Sequence, residues 1–243
     1  MAQTRVNAGL DVADVSVSYG GVAALRGVTM RIGPGSIVGL IGPNGAGKTT
    51  LINAVSGVVR PGTGTISLGP LRLDRLPQHL VARAGVARTY QNIRLFGGLS
   101  VADNVRAGAY RLRSPLSDEG VKELLARVAV HEFDVSRPAA SLPYGEQRRI
   151  EIARALAGTP SVMLLDEPAA GMNPRESHEL RSVIRGIAQR GTGVLLVEHD
   201  MSLVSAVCDH VVVLNFGETI ASGTPAQVAR DPAVVEAYLG TSA

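Results

Sequence analysis

The chain has 243 residues, a length that suits one α/β domain or a domain carrying a small subdomain. Hydrophobic residues make up 45%, aromatic residues 3%, and tryptophan is absent, so the core must be aliphatic and alanine-rich. A net charge of +3 on scattered arginines is too weak to argue nucleic-acid binding, and a lone cysteine, Cys208, excludes an internal disulfide framework and reads as a buried thiol. Met1 to Asp11 lacks the apolar core of a signal peptide. No run of about 18 apolar residues occurs, so no transmembrane helix is expected.

In chain order, Val12 to Ile32 reads as strands joined at Tyr19-Gly20-Gly21, and Ser36 to Ile41 as a buried strand. Leu51, Ile52 and Val55 recur at helical spacing until Gly57, a C-cap. Pro61-Gly62-Thr63-Gly64 is a turn before a strand at Thr65 to Leu68. Helices are predicted over Val101 to Arg111 and Val121 to Val130, with a loop at Arg113 to Asp118 between them, as an inserted helical subdomain. An amphipathic helix at Gly145 to Ala157 precedes an apolar strand at Ser161 to Leu165. Then come a helix at Pro174 to Gln189 and further apolar strands at Gly193 to Val197 and His210 to Leu214. Apolar strands alternating with helices imply a parallel sheet covered on both faces.

Three segments carry chemistry. Gly42-Pro43-Asn44-Gly45-Ala46-Gly47-Lys48-Thr49-Thr50 fits the P-loop pattern at every fixed position, between an expected strand and an expected helix. Its lysine is one of only two in the chain, where arginine supplies the other 22 basic residues. A compact ammonium suits a tight loop around phosphates better than a planar guanidinium. Backbone amides and the helix N-terminus would cradle the phosphates of a nucleoside triphosphate, Lys48 would bridge the β- and γ-phosphates, and Thr49 would ligate Mg²⁺.

The second segment, Val162-Met163-Leu164-Leu165-Asp166-Glu167-Pro168, ends an apolar strand in two carboxylates. Asp166 would hold Mg²⁺ and Glu167 would polarise an attacking water, with Pro168 expected to keep Glu167 extended at the strand tip. The third, Leu142-Pro143-Tyr144-Gly145-Glu146-Gln147-Arg148-Arg149, opens a helix whose N-terminus could contact an anion; a plain helix start reads equally well.

In this order and spacing the three segments resemble the nucleotide-binding domain of an ABC transporter, across roughly residues 10 to 240. The resemblance implies a P-loop NTPase fold: a mostly parallel core sheet with an N-terminal antiparallel β subdomain, about 9–91 and 159–243, and a helical subdomain, about 92–158. It makes Gln91 the Q-loop glutamine, His199 the switch histidine and Ala169 to Pro174 the D-loop, and it places Tyr19 against adenine. It adds Gln91 to Thr49 and Asp166 as a metal-site residue, and assigns Glu167, His199 and Lys48 to catalysis. Tyr144, Gly145 and Glu146 fall in the signature loop, which covers the nucleotide of a partner subunit.

Arg88-Thr89-Tyr90-Gln91-Asn92-Ile93-Arg94-Leu95-Phe96, Tyr144 to Arg154 and Glu167 to Pro174 are similar to the LivG-type ATP-binding subunits of branched-chain amino-acid importers. So is the tail, Gly223 to Val228, Asp231-Pro232 and Glu236 to Gly240. That narrower resemblance implies an ATP hydrolase at the cytoplasmic face of the membrane. Its partners would be a second ATPase subunit, in a homo- or heterodimer, two membrane permease subunits and, indirectly, a soluble solute-binding protein, with no nucleic acid. An ATPase of another ABC system, such as a lipopolysaccharide exporter, and a soluble ABC ATPase acting on ribosomes or DNA are the alternatives. One position departs from the family: Pro143 replaces the signature serine, removing a hydroxyl and an N–H. The loop around Arg111 to Asp118 is also short for the LivG type.

Overall fold

A computed structural model of the chain describes residues 8–109, 115–130 and 135–239. Strands β1 (Leu10–Tyr19) and β2 (Val22–Ile32) form a hairpin, and β3 (Ile37–Ile41) runs through the glycine loop into α1 (Lys48–Val55). Next come β4 (Thr63–Leu68), β5 (Leu71–Arg72), α2 (Gln78–Ala84) and β6 (Val86–Arg88). Helices α3 (Val101–Ala107), α4 (Asp118–Arg127) and α5 (Tyr144–Ala157) follow. The remainder alternates: β7 (Val162–Asp166), α6 (Pro174–Gln189), β8 (Gly193–Val197), α7 (Met201–Val207), β9 (His210–Asn215), β10 (Glu218–Gly223), α8 (Pro225–Val228) and α9 (Pro232–Leu239).

These strands make two sheets: an antiparallel one in the order β2-β1-β4-β5, and a six-stranded one in the order β10-β9-β3-β8-β7-β6. All pairs of the larger sheet are parallel except β10 with β9. Side-chain alternation along each central strand feeds two separate cores. Ile37, Ile41, Met163, Leu165, Val194, Leu196, Val211 and Val213 pack on one face with α3 to α7. Val38, Leu40, Val162, Leu164, Leu195, Val197, Val212 and Leu214 pack on the other with α1 and the antiparallel sheet. Both faces are buried, which is why these strands read as unbroken apolar runs.

Helix ends follow local chemistry. Helix α1 stops at Ser56 with Gly57 at φ 73°, and Val58 N–H reaches back to Asn53 O at 2.9 Å, the pattern expected from a glycine just past a helix end. Asn173 and Glu176 form a reciprocal capping box at the start of α6, with Pro174 at its first position.

Several boundaries differ from the expectation. Helix α3 stops at Ala107, short of Arg111, and the Gly108 that follows lies so close to Arg154 O that a Cβ would come within 1.8 Å of it. Residues 110–114, which include the end of the expected helix and Arg113-Ser114 of the expected loop, lie outside the described residues. Helix α4 starts at Asp118, capped by Ser117 Oγ, and ends before Ala129, whose φ is 56°. Strand β4 takes in Thr63 and Gly64 from the expected turn. The apolar residues of α3, α4 and α5 are continuous with those of α6 and α7 rather than forming a core of their own. Among the described residues, no helix is long and apolar enough to cross a membrane.

Candidate functional site

The parallel strands β3, β8, β7 and β6 lie side by side, so their C-terminal ends share one edge of the sheet. Each end delivers one sequence-expected segment: the P-loop after β3, Glu198-His199 after β8, Asp166-Glu167 at the end of β7, and Tyr90-Gln91 after β6. Open α/β sheets bind ligands at this edge.

In the P-loop, Gly42 has φ +148°, and Leu214 O of β9 lies where a Cβ would be, at 2.1 Å. The turn can therefore press directly onto the sheet. The Lys48 ammonium folds back onto Gly42 O and onto Pro43 O, the latter at 2.9 Å. Burial lowers its pKa from the usual lysine value, opposed by the nearby carboxylates of Glu167 and Asp166. Helix α1 begins at Lys48 with no side-chain cap, so the amides of Lys48, Thr49 and Thr50 have no acceptor within the helix. At Gly45 a Cβ would meet nothing within 4 Å, so the loop is open on that side. A lysine, uncapped helix amides and an open glycine face fit a polyphosphate. Among the described residues no three His, Cys, Asp or Glu side chains gather as a metal cage. Asp166 and a Thr49 hydroxyl fit Mg²⁺ in the usual way, with one or two protein groups completed by phosphates and water.

Around the β7 tip, Glu167 is the hub. Gln91 Nε2 donates to Glu167 Oε2 at 2.8 Å, and His199 Nδ1 lies 3.9 Å from the same oxygen. The backbone of Glu167 is not extended, as Pro168 led us to expect: its φ is +45°. Proline disfavours only the right-handed helical region for the residue before it. Glu167 instead adopts the left-handed region, donating its N–H to Val197 O and accepting from Ala170 N–H. Such conformations cost about 1–3 kcal/mol in a non-glycine residue and concentrate at functional sites.

Four charged side chains that sequence reasoning did not single out shape this region. Arg88 Nη2 bonds Asp166 Oδ2 at 3.1 Å, while its Nη1 bonds Asn53 Oδ1 at 2.7 Å and Ser56 Oγ at 3.2 Å. It ties the expected metal carboxylate to α1 from behind. Glu198, 1% exposed, accepts the Ala169 and His199 N–H groups and so fixes the D-loop start to the end of β8. Burial raises its pKa above the ordinary carboxylate value. Arg148 and Glu151, both on α5, form a fully buried pair. The hint for all four lay in charged residues within apolar or helical runs, a pattern that reads as surface without coordinates. At the far end of the chain, the buried Tyr238 hydroxyl on α9 meets the Gly42 backbone.

The remaining expected residues divide into two groups. Tyr19 is exposed at the end of β1, available for stacking. Tyr144, Gly145 and Glu146 are not brought to the P-loop of their own chain. They open α5, where Tyr144 lies on Gly171 and Gly145 is covered by the Glu176 side chain. Cys208 is buried, and its thiol is pushed up to about 12 by desolvation first and then by Asp209 and Glu198, so it stays neutral.

The ABC transporter family model matches residues 25–170, and the model described as branched-chain amino acid ATP-binding cassette transporter matches residues 218–243. The chain is similar to the high-affinity branched-chain amino acid transport ATP-binding proteins BraF of Pseudomonas aeruginosa and LivG of Escherichia coli K12. BraF is 39% identical over 249 residues and LivG 40% over 248, each match covering 95% of this chain and 97% of the relative. The ADP conformation of MJ1267, an ATP-binding cassette of an ABC transporter, superposes with a TM-score of 0.85 at 27% identity, covering 95% of this chain and 98% of that one. Motif order, strand-edge geometry and these likenesses agree: the chain belongs to the ABC transporter family, as one of its ATP-binding cassettes.

Proposed function

We propose that this chain is the ATP-binding and hydrolysing subunit of an importer for branched-chain or related amino acids. The observation that carries the enzymatic part is the convergence of Gln91, His199 and Glu167 on one carboxylate oxygen beside Lys48 and Asp166. The match of the tail, 218–243, to the branched-chain model supports the importer over a lipopolysaccharide exporter.

In this reading Tyr19 stacks on the base and Gly42 to Thr50 hold the phosphates. Thr49, Asp166 and Gln91 would hold Mg²⁺, which would neutralise charge on the phosphate oxygens. Glu167 takes a proton from water and aims it in line with the γ-phosphate, and His199 steadies the transferring group. Two chains close head to tail, with Tyr144, Gly145 and Glu146 of each covering the nucleotide of the other. This fits their distance from their own P-loop. A groove of about 470 Å³ lined by Gln78, Arg88, Tyr90, Arg94, Phe96 and Arg154 runs between β6 and α5, a suitable seat for a permease element beside Gln91. The chain would then sit peripherally on the cytoplasmic face, bound to two permease subunits that a solute-binding protein feeds.

Reconstitution with the membrane subunits and the binding protein tests this. ATP-dependent accumulation of radiolabelled leucine, isoleucine or valine in liposomes is expected. Amino-acid flux indifferent to ATP would overturn the importer, and hydrolysis driven by RNA, DNA or ribosomes would favour a soluble ATPase instead.

Pro143 caps α5 with no side-chain hydrogen bond, and its carbonyl accepts from Glu146 and Gln147. Its missing hydroxyl weakens the half-site offered to a partner. Replacing it with serine should raise kcat/KM of the assembled pair by about ten-fold or more, because a hydrogen bond to a charged group is worth about 1.5–3 kcal/mol. Steady-state ATPase assays of Pro143→Ser against Pro143→Ala isolate the hydroxyl; equal rates for both would sink the idea.

A further inference from the structure

Helix α5 carries two functions one turn apart. Its N-terminus, Tyr144 to Glu146, is the face offered to a partner's nucleotide. Arg148, which follows, is fully buried. Its Nη1 donates to the Tyr90 carbonyl and, at 2.7 Å, to Glu151 Oε2. Its Nη2 donates to the Gln91 carbonyl and, at 3.2 Å, to the Tyr144 hydroxyl oxygen. Glu151, 1% exposed, accepts the Arg94 N–H on its other oxygen at 3.0 Å. Both ends of the 90–94 segment are therefore fastened to one helix, by two side chains three residues apart. Within that segment, the Gln91 side chain donates to Glu167.

A planar guanidinium engaged with four acceptors in a dry site cannot shift without carrying them along or leaving them unpaired. We propose that Arg148 and Glu151 are positioning residues that make α5 a rigid strut between the two nucleotide sites of a pair. Engagement of a partner's nucleotide at Tyr144 to Glu146 moves Tyr144, Arg148 and the Gln91 backbone as one body. That resets the contact between Gln91 and Glu167 in the chain's own site. The strut rests on the paired-cassette reading above and adds to it a route for cooperativity that lies wholly within the ATPase subunits.

The test is ATP hydrolysis by the purified full chain as a function of Mg·ATP concentration, read as kcat, KM and Hill coefficient. Substituting Arg148→Met together with Glu151→Met removes both charges of the fully buried pair and leaves only Arg154, 3.9 Å from Glu151 and 18% exposed, to turn to solvent. With coupling lost, the Hill coefficient should fall from about 2 to about 1 and kcat about ten-fold, while the Kd for ATP stays within about two-fold. A mere core-filling role would alter the melting temperature and leave the Hill coefficient alone. A folded double variant with wild-type Hill coefficient and kcat overturns the proposal. If the double variant does not fold, Arg148→Lys is judged by the same criteria, since it keeps the charge facing Glu151 but lacks the fork that holds two carbonyls. Size exclusion of the Glu167→Gln chain with ATP, alone and mixed with the second ATPase subunit, separates the two readings. Failure of that protein to dimerise with Arg148 intact overturns the paired cassette and the strut with it. If it dimerises, the Hill coefficient decides the strut alone.

Discussion

Replacing Glu167 by glutamine should lower ATP turnover by a factor on the order of 10²–10⁴ while ATP binding survives, the size typical of losing a general base. The amide is nearly isosteric, so the hydrogen bond with Gln91 and the spacing to His199 can persist with only the basic oxygen lost. The unusual backbone at φ +45° is set by bonds to Val197 and from Ala170, which do not involve the side chain. Folding should therefore be unaffected. Phosphate release and calorimetric ATP binding, measured on the same preparation, check this. A folded variant that hydrolyses ATP at the wild-type rate would remove Glu167 from the role of base.

The second large effect is expected at Gly42. An alanine there would place its Cβ 2.1 Å from Leu214 O and 3.1 Å from Ala46 Cβ, at a φ of +148°. Backbone strain of about 1–3 kcal/mol adds to overpacking of similar size, so Gly42→Ala should lose about 3 kcal/mol or more. For a chain of this length that lowers Tm by roughly 6–12 °C. Movement of Gly42 also moves the carbonyl that holds Lys48, so ATP affinity should fall at least ten-fold, about 1.4 kcal/mol. Gly45→Ala is the contrast. No atom lies within 4 Å of its added methyl, so it escapes the overpacking, but at φ +80° the backbone strain of about 1–3 kcal/mol remains; it should weaken ATP binding and lower Tm by less than Gly42→Ala. Thermal melts and ATP titrations of both variants read this out, and a wild-type Tm for Gly42→Ala would refute the close approach.

Much of the site was legible because its residues sit in segments whose local pattern fixes their place. A strand ending in Asp166-Glu167, a glycine loop between strand and helix, and His199 after an apolar run all land on one sheet edge, since parallel strands share their C-terminal ends. Capping chemistry made α6 readable from Asn173, Pro174 and Glu176. Short elements escaped because they carry too few residues for a period to appear: β6 has three residues and β5 two. The roles of Arg88, Arg148, Glu151 and Glu198 were illegible for another reason. Each is charged but buried through partners distant in sequence, such as Asp166 for Arg88 and the Tyr90 and Gln91 carbonyls for Arg148. Only assembly supplies those partners. The backbone of Glu167 was misread because a preference against one conformation says nothing about which alternative tertiary bonds will select.

The division of each central strand between two cores has a mechanical consequence. Side chains from β3, β7, β8 and β9 grip both halves of the molecule in strict alternation, so the sheet behaves as a stiff plate clamped on both sides. The P-loop, the 89–95 segment, the Glu167 corner and His199 all hang from one rim of that plate. A stiff plate leaves conformational change to its rim, a few residues per loop, and anything that presses on the 89–95 segment has a short lever to Glu167 through Gln91.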